Sequence, residues 1–229
     1  GWRIEIYVIG ETTEKSYRII QNTCFNRRMK CLYIDIASHR GLLACSDGKR
    51  IEAKMHCNES VRDNTLLTMY AEVMANAQWT HADLTHIACV TGPGGFTSLR
   101  IAVAFCNTLT TELGIPSAGI HLADVYAARA HGQKPLLWIH STKKQEVFAR
   151  VFGENRKEKV QHMSLHMLLE HMPQKGHWCG ELIPEHRAAL LQTGLPEAVL
   201  QETDIIVPAL VNEAGYDTNI LTPWYGREG

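Results

Sequence analysis

The order of elements from Met29 onward constrains this chain more than any other feature. Three apolar segments come first: Cys31-Leu32-Tyr33-Ile34-Asp35-Ile36, Leu42-Leu43-Ala44-Cys45 and the alternating Arg50-Ile51-Glu52-Ala53-Lys54-Met55. Asp47-Gly48 marks a hairpin turn between the last two, because glycine accepts a positive φ. Leu66, Leu67, Tyr70, Val73 and Met74 then recur at helical spacing. A strand at Ile87–Val90, a helix from about Ser98 to Leu113, a short strand at Ala118–Ile120 and a helix from Leu122 to Ala130 complete the series. This β-β-β-α-β-α-β-α order is that of the ribonuclease-H-like fold, which actin-like proteins use twice.

The second half starts the same way. Leu136–Ile139 and Glu146–Phe152 read as strands joined through Ser141–Lys144. Helix follows from Leu165 to Leu169, then a short strand at His177–Cys179 and a helix from Pro184 to Leu191 with proline at its start. The expected fold class is therefore α/β, a two-lobed actin-like fold with a reduced second lobe. The expected domains are residues 29–132 for the first lobe and 133–229 for the second. Residues 1–28 read as an extra hairpin, either the remnant of an upstream fusion or a non-native extension.

Charge excludes several functions. Lys+Arg total 23 and Asp+Glu 24, a formal charge of −1, so the chain has no global field to hold a polyanion. No run approaches the ~18 apolar residues of a membrane span. The seven cysteines are odd in number and widely spaced, without C-x-x-C, which points to buried thiols in a reducing cytosol.

Thr91-Gly92-Pro93-Gly94-Gly95-Phe96-Thr97-Ser98-Leu99-Arg100 is the richest stretch. Gly94 and Gly95 allow positive φ and close backbone approach, and Thr97 or Ser98 can cap the following helix. A glycine turn opening a helix can cradle phosphate. This one lacks the lysine of a P-loop and the third glycine of G-x-G-x-x-G, and Pro93 removes a donor, so a structural turn is the better reading. Asp35 stands where a ribonuclease-H-like enzyme keeps a metal-binding carboxylate. The fourth strand ends Val90-Thr91 with no acid to match it, so Asp35 is expected to bond its own loop. His162 and His166, four apart, could share a helix face, but no H-E-x-x-H surrounds them and no metal site is assigned. Lys143-Lys144 and Arg156-Lys157-Lys159 read as solvated surface.

The block Gly92–Ile101 resembles the GPGSFTGLRIG block of the TsaB (YeaZ) family, with Gly95 for the usual Ser and Ser98 for a Gly. Leu32-Tyr33-Ile34-Asp35-Ile36-Ala37 is similar to that family's opening strand. Asn64-Thr65-Leu66-Leu67 resembles its HSxxLLP helix, Glu146-Val147-Phe148 its EVY strand, and Pro223-Trp224-Tyr225-Gly226-Arg227 its closing P-x-Y-x-R. Residues 1–28 are weakly similar to the last strands of TsaE. One departure is clear: His140-Ser141-Thr142 takes the place of the family's Asp-Ala-Arg.

The resemblance implies a non-catalytic, cytoplasmic scaffold subunit. It would pair with the catalytic subunit TsaD, and with the ATPase TsaE, in making threonylcarbamoyladenosine beside the tRNA anticodon. It implies contact with tRNA only through the complex, a homodimer when TsaD is absent, and no cofactor other than ATP or ADP at the TsaD interface. By family analogy the partner face comprises Leu67 and Tyr70 on one helix and Arg100, Ile101, Ala104, Phe105 and Thr108 on the next. The rival reading is an active actin-like ATPase or phosphotransferase, which needs a second, Asp-Gly-Thr-like phosphate loop near His140.

Overall fold

The computed structural model describes residues 28–57, 63–153 and 159–226. The hairpin expected before Met29 lies outside these, as do Cys24, Arg156, Lys157 and Arg227.

Two sheets organise the molecule. The first runs β3-β2-β1-β4-β5, from β1 (Cys31–Asp35), β2 (Gly41–Ser46), β3 (Ile51–Cys57), β4 (His86–Gly92) and β5 (Ser117–His121). The pairs β1–β2 and β2–β3 are antiparallel, with Tyr33 opposite Ala44. The pairs β1–β4 and β4–β5 are parallel, with Tyr33 beside Ala88. The second sheet runs β8-β7-β6-β9, from β6 (Leu136–Lys143), β7 (Glu146–Phe152), β8 (Gln161–Ser164) and β9 (His177–Glu181). There β6–β7–β8 is antiparallel, and β9 lies parallel to β6 with Trp138 beside Cys179. The second sheet thus repeats the first and stops one strand earlier.

Among the described residues, six α-helices cover the sheets: α1 (Asp63–Asn76), α2 (Phe96–Leu113), α3 (Leu122–Arg129), α4 (Leu165–Glu170), α5 (Pro184–Leu191) and α6 (Thr203–Glu213). Strand alternation decides what each sheet face meets, because successive side chains point to opposite faces. Leu32, Ile34, Leu43, Cys45, Ile87 and Cys89 face α1 and α2. Their sequence neighbours Cys31, Tyr33, Leu42, Ala44, Ala88 and Val90 face the other way, onto α3 and α6. The second sheet does the same: Leu136, Trp138, Phe148 and Cys179 join that shared core, while Leu137, Ile139, Val147 and Trp178 pack under α4 and α5. Both central strands are buried on both faces, which is why β1 and the start of β6 read as continuous apolar runs.

Several boundaries differ from the sequence reading. Helix α2 starts at Phe96 rather than Ser98. Its N-cap is Gly95, without a side-chain bond, so neither Thr97 nor Ser98 caps it. Its C-terminus behaves as expected: Gly114 adopts φ 62° and its N–H bonds the Thr110 carbonyl. His162 and His166 do not share a helix, because His162 sits in β8 and His166 in α4. Helix α6 has no counterpart in the sequence reading. It carries Pro208 within it, yet it packs on β1, β2 and β3 of the first sheet although it follows the whole second sheet in the chain. The six described cysteines are buried and free.

Leu122 is fully buried on α3, in the core the two sheets share. Leu122→Ala is expected to lower stability by about 2–5 kcal/mol. It should do so through one cooperative denaturation curve that moves for reporters in both lobes. Two separated transitions would mean that the lobes do not fold as a unit.

Candidate functional site

The carboxyl ends of β1, β4, β6 and β9 converge on a cleft between the sheets. Two adjoining cavities of about 550 and 570 Å³ share Gly94, His140 and Ser141. Such a crevice at strand ends is where an open α/β sheet offers a binding site.

Asp35 ends β1. It is buried, and its carboxylate is occupied by its own loop: Oδ1 accepts the Ala37 and Ser38 N–H groups at 3.3 and 3.1 Å, and Oδ2 accepts the Ser38 hydroxyl at 2.7 Å. Burial raises its pKa and those three donors oppose the rise. The expectation that Asp35 bonds its neighbouring loop therefore holds.

Next to it stands the glycine loop. Positive φ falls on Gly92, at 137°, and not on Gly94 or Gly95. Close approach is the reason for glycine at 94: a Cβ there would lie 2.6 Å from the Ala37 carbonyl oxygen, whereas at Gly95 the nearest atom would be 3.6 Å away. The space beside Gly94, where a cradle would need room for a phosphate, is filled by the backbone after β1. Among the described residues, no lysine or arginine lines the cleft.

A carboxylate that the sequence reading missed completes the polar end. Glu181 ends β9, is 4% exposed, and ties the two lobes. Its Oε1 accepts the His39 N–H at 2.8 Å and the Tyr126 hydroxyl at 3.1 Å. Its Oε2 has no hydrogen bond and lies 3.7 Å from His140 Nδ1, which is unpartnered as well. Burial raises the Glu181 pKa and pushes His140 down to about 4, so both favour their neutral forms. Nothing in the local sequence announced Glu181, since the short strand read at His177–Cys179 stops before it, whereas β9 runs on to Glu181. Among the described residues, no three His, Cys, Asp or Glu side chains are arranged to hold a metal ion.

The other end of the cleft is aromatic. Phe148 packs edge-on against Trp224, with ring centroids 4.9 Å apart, and Phe96 lies 5.0 Å from Tyr225. The segment 221–226 straps this end: Trp224 N–H bonds the Thr91 carbonyl at 2.7 Å, and Gly226, at φ 87°, passes so close to the Phe148 ring that a side chain would collide with it. The departure at 140–142 lies on the cleft wall. Ser141 Oγ stands 2.9 Å from His186 Nδ1 and accepts the Ile183 N–H at 3.1 Å. The far nitrogen of His186, Nε2, bonds the Lys144 carbonyl at 2.9 Å.

The face assigned to a partner lies on α1 and α2, away from the cleft. Arg100, Ala104 and Thr108 are exposed, Ile101 and Phe105 are partly covered, and Leu67 is 57% exposed. Tyr70 departs from the expectation. It is buried, its hydroxyl 2.6 Å from His81 Nδ1 and its ring edge-on to Phe105, so it supports the face from beneath. Phe96, 59% exposed under the Arg100 guanidinium, extends the face and was missed because it was read as part of the loop.

Gly94→Ala should therefore destabilise the protein by about 1–3 kcal/mol, through the clash with Ala37, while Gly95→Ala leaves the melting temperature nearly unchanged. Equal effects of the two substitutions would remove the loop packing described above. Glu181 yields a pH prediction. A carboxyl whose folded pKa is raised gives its full contribution below the unfolded value and loses it as pH rises through the folded one. Glu181→Gln should thus gain stability relative to the parent as pH climbs from the ordinary carboxylate range toward neutrality, and show little difference under acid conditions. Denaturant titrations at several pH values decide this, and a mutant less stable at neutral pH would contradict it.

Comparison with known proteins places this geometry. The family model described as "TsaD: tRNA N6-adenosine threonylcarbamoyltransferase" matches residues 62–176, half of the chain. The chain is 34% identical over 84 residues to the tRNA threonylcarbamoyladenosine biosynthesis protein TsaB of Buchnera aphidicola subsp. Schizaphis graminum. It is 30% identical over 89 residues to the protein of that name from subsp. Acyrthosiphon pisum. The matched stretch is 37% of this chain in both cases, and 37% and 40% of those relatives' own lengths. The solved structure of YeaZ from Pseudomonas aeruginosa superposes with a TM-score of 0.62 at 17% identity, covering 86% of this chain and 99% of that one, which shows a shared fold. With half its length under the threonylcarbamoyltransferase model and TsaB proteins among its relatives, the chain belongs to the TsaB (YeaZ) family, on an α/β actin-like fold.

Proposed function

We propose that the chain takes part in tRNA threonylcarbamoyladenosine biosynthesis as a non-catalytic scaffold subunit. It acts in the cytoplasm, pairs with a TsaD-type catalytic subunit, works with a TsaE-type ATPase and meets tRNA only through the complex. The relatives named TsaB support the pathway. The observation that carries the scaffold role is the uncovered face of α1 and α2. Helix α2 buries Leu99, Ala102, Val103 and Cys106 against its own sheet and leaves Ala104 and Thr108 open beside Leu67 and Phe96. Small residues on an open helix let a second backbone come close, and the large apolar groups around them supply anchors.

The rival reading, an actin-like ATPase or phosphotransferase, finds less support. Its phosphate would have to enter beside Gly94, against the Ala37 backbone, in a cleft lined by Glu146 and Glu181. ATP or ADP, where it binds, is better placed at the contact with TsaD. The open face also serves a homodimer when TsaD is absent.

Ala104→Arg tests the proposal. Ala104 is exposed, so the fold should be retained, with a melting temperature close to the parent. An interface of standard size removes roughly 1,600 Å² from water, and an unpaired charge at its centre costs several kcal/mol. Co-purification with the TsaD-type subunit should be lost, and light scattering should report a monomer. A folded mutant that still pairs at parental affinity would mean that α2 is not the interface.

A further inference from the structure

The scaffold role leaves the cleft between the lobes without a task, and one arrangement on its wall is chemically specific. His186, on α5, is 1% exposed. Its Nε2 faces only the Lys144 carbonyl, at 2.9 Å, and a carbonyl can only accept. Nε2 therefore carries a proton; in the neutral form of the ring Nδ1 is then the acceptor, and the bond to Ser141 at 2.9 Å runs from hydroxyl to imidazole. Ser141 Oγ takes one further bond, from the Ile183 N–H. One lone pair remains, on a residue that lines both halves of the cleft. A hydroxyl donating to a buried imidazole whose far nitrogen is fixed by a third group is the arrangement that activates a serine nucleophile.

We propose that Ser141 is an acylatable nucleophile with His186 as its base, and that the cleft admits an uncharged ester or thioester whose acyl group is flat or apolar. The aromatic wall of Phe148 and Trp224 offers that group a surface, and the described side chains lining the cleft include no lysine or arginine to hold an anion. In the reaction, Ser141 Oγ attacks the acyl carbon while its proton passes to His186 Nδ1. The Lys144 carbonyl holds the opposite N–H and stabilises the imidazolium. Collapse of the tetrahedral adduct breaks the bond to the leaving alcohol or thiol, which takes the proton from Nδ1. Water then attacks the acyl-serine by the same route, freeing the acid and restoring the hydroxyl. His186 is held in its tautomer by main chain rather than by a carboxylate. The pair also rests on a serine that stands in the departing His140-Ser141-Thr142 triplet, and so belongs to this chain rather than to the usual family pattern.

The test treats the full chain with a fluorophosphonate probe, in which the serine oxygen displaces fluoride from phosphorus, and maps the adduct by peptide mass spectrometry. The expected result is a single modified hydroxyl at Ser141. Ser141→Ala should abolish labelling and Ser141→Thr should retain part of it. His186→Gln, which keeps a polar side chain facing Ser141 without a base, should slow labelling about a hundredfold at an unchanged melting temperature. Because the adduct is mapped on the unmodified sequence, the result stands even where a variant folds poorly. An unlabelled chain, an adduct on another hydroxyl such as Ser38, or a well-folded His186→Gln variant that labels at the parental rate would each overturn the proposal.

Discussion

Helix α3 is only eight residues long, yet both sheets depend on it. Leu122, Ala123, Val125 and Tyr126 are buried between the inward faces of the two sheets, and α6 closes the same layer from the side of β1, β2 and β3. Without α3, Tyr33, Ala88 and Trp138 would lose their shared cover. The apolar area removed from water at about 25 cal/mol per Å² drives this arrangement, and it is gained only if the lobes stay together. Returning α6 to the first sheet after the second is complete reinforces the tie. The second lobe can therefore be one strand shorter than the first without standing alone.

The same helix sets the polar geometry of the cleft. Tyr126 reaches from α3 to Glu181 at the end of β9, and Arg129, one turn on, is buried over the Tyr126 ring while its Nε bonds the Gln201 carbonyl. Glu181 in turn receives the His39 N–H from the first lobe. A buried carboxylate needs donors, and here the donors come from two lobes and the wedge between them, so satisfying Glu181 fixes the lobes relative to one another. Its second oxygen and His140 Nδ1 stay unbonded, 3.7 Å apart, although the two residues sit opposite each other on β6 and β9.

Much of this was legible in the sequence, for a physical reason. Central strands buried on both faces must be apolar at every position, and Cys31–Ile34 and Leu136–Ile139 announce themselves that way. The glycine stop of α2 and the proline start of α5 are local signals with local causes. What stayed hidden depends on distant partners. Strand β8 is an edge strand of four residues, two of them exposed, and its His162 stands four positions before His166, so the pair resembled one helix face. Helix α6 carries Pro208, which reads as a break, and its apolar face has meaning only once the first sheet is present. Tyr70 looked like surface because its cover comes from Phe105 on the next helix and from His81 in the stretch between the two helices. Glu181 and the Ser141–His186 pair bring together residues 45 to 142 positions apart, a separation that no local pattern encodes.

The glycine loop, whose sequence suggested a possible phosphate cradle, serves packing instead. A backbone that approaches Ala37 this closely at Gly94 locks the β1 and β4 ends together, and the strap through Trp224 seals the loop from the other side by bonding Thr91 and pressing on Gly92. Both contacts fill space beside the loop that a bound phosphate would need. The loop's rigidity is passed on to α2, which begins at Phe96 directly after Gly95. Phe96 and Arg100 are thereby presented at the edge of the open face, and Phe96, packed near Tyr225, also belongs to the aromatic end of the cleft. A turn packed for stiffness thus fixes the orientation of two surfaces at once, the helix face that suits a protein partner and the first-lobe side of the cleft, formed by Pro93, Gly94 and Phe96.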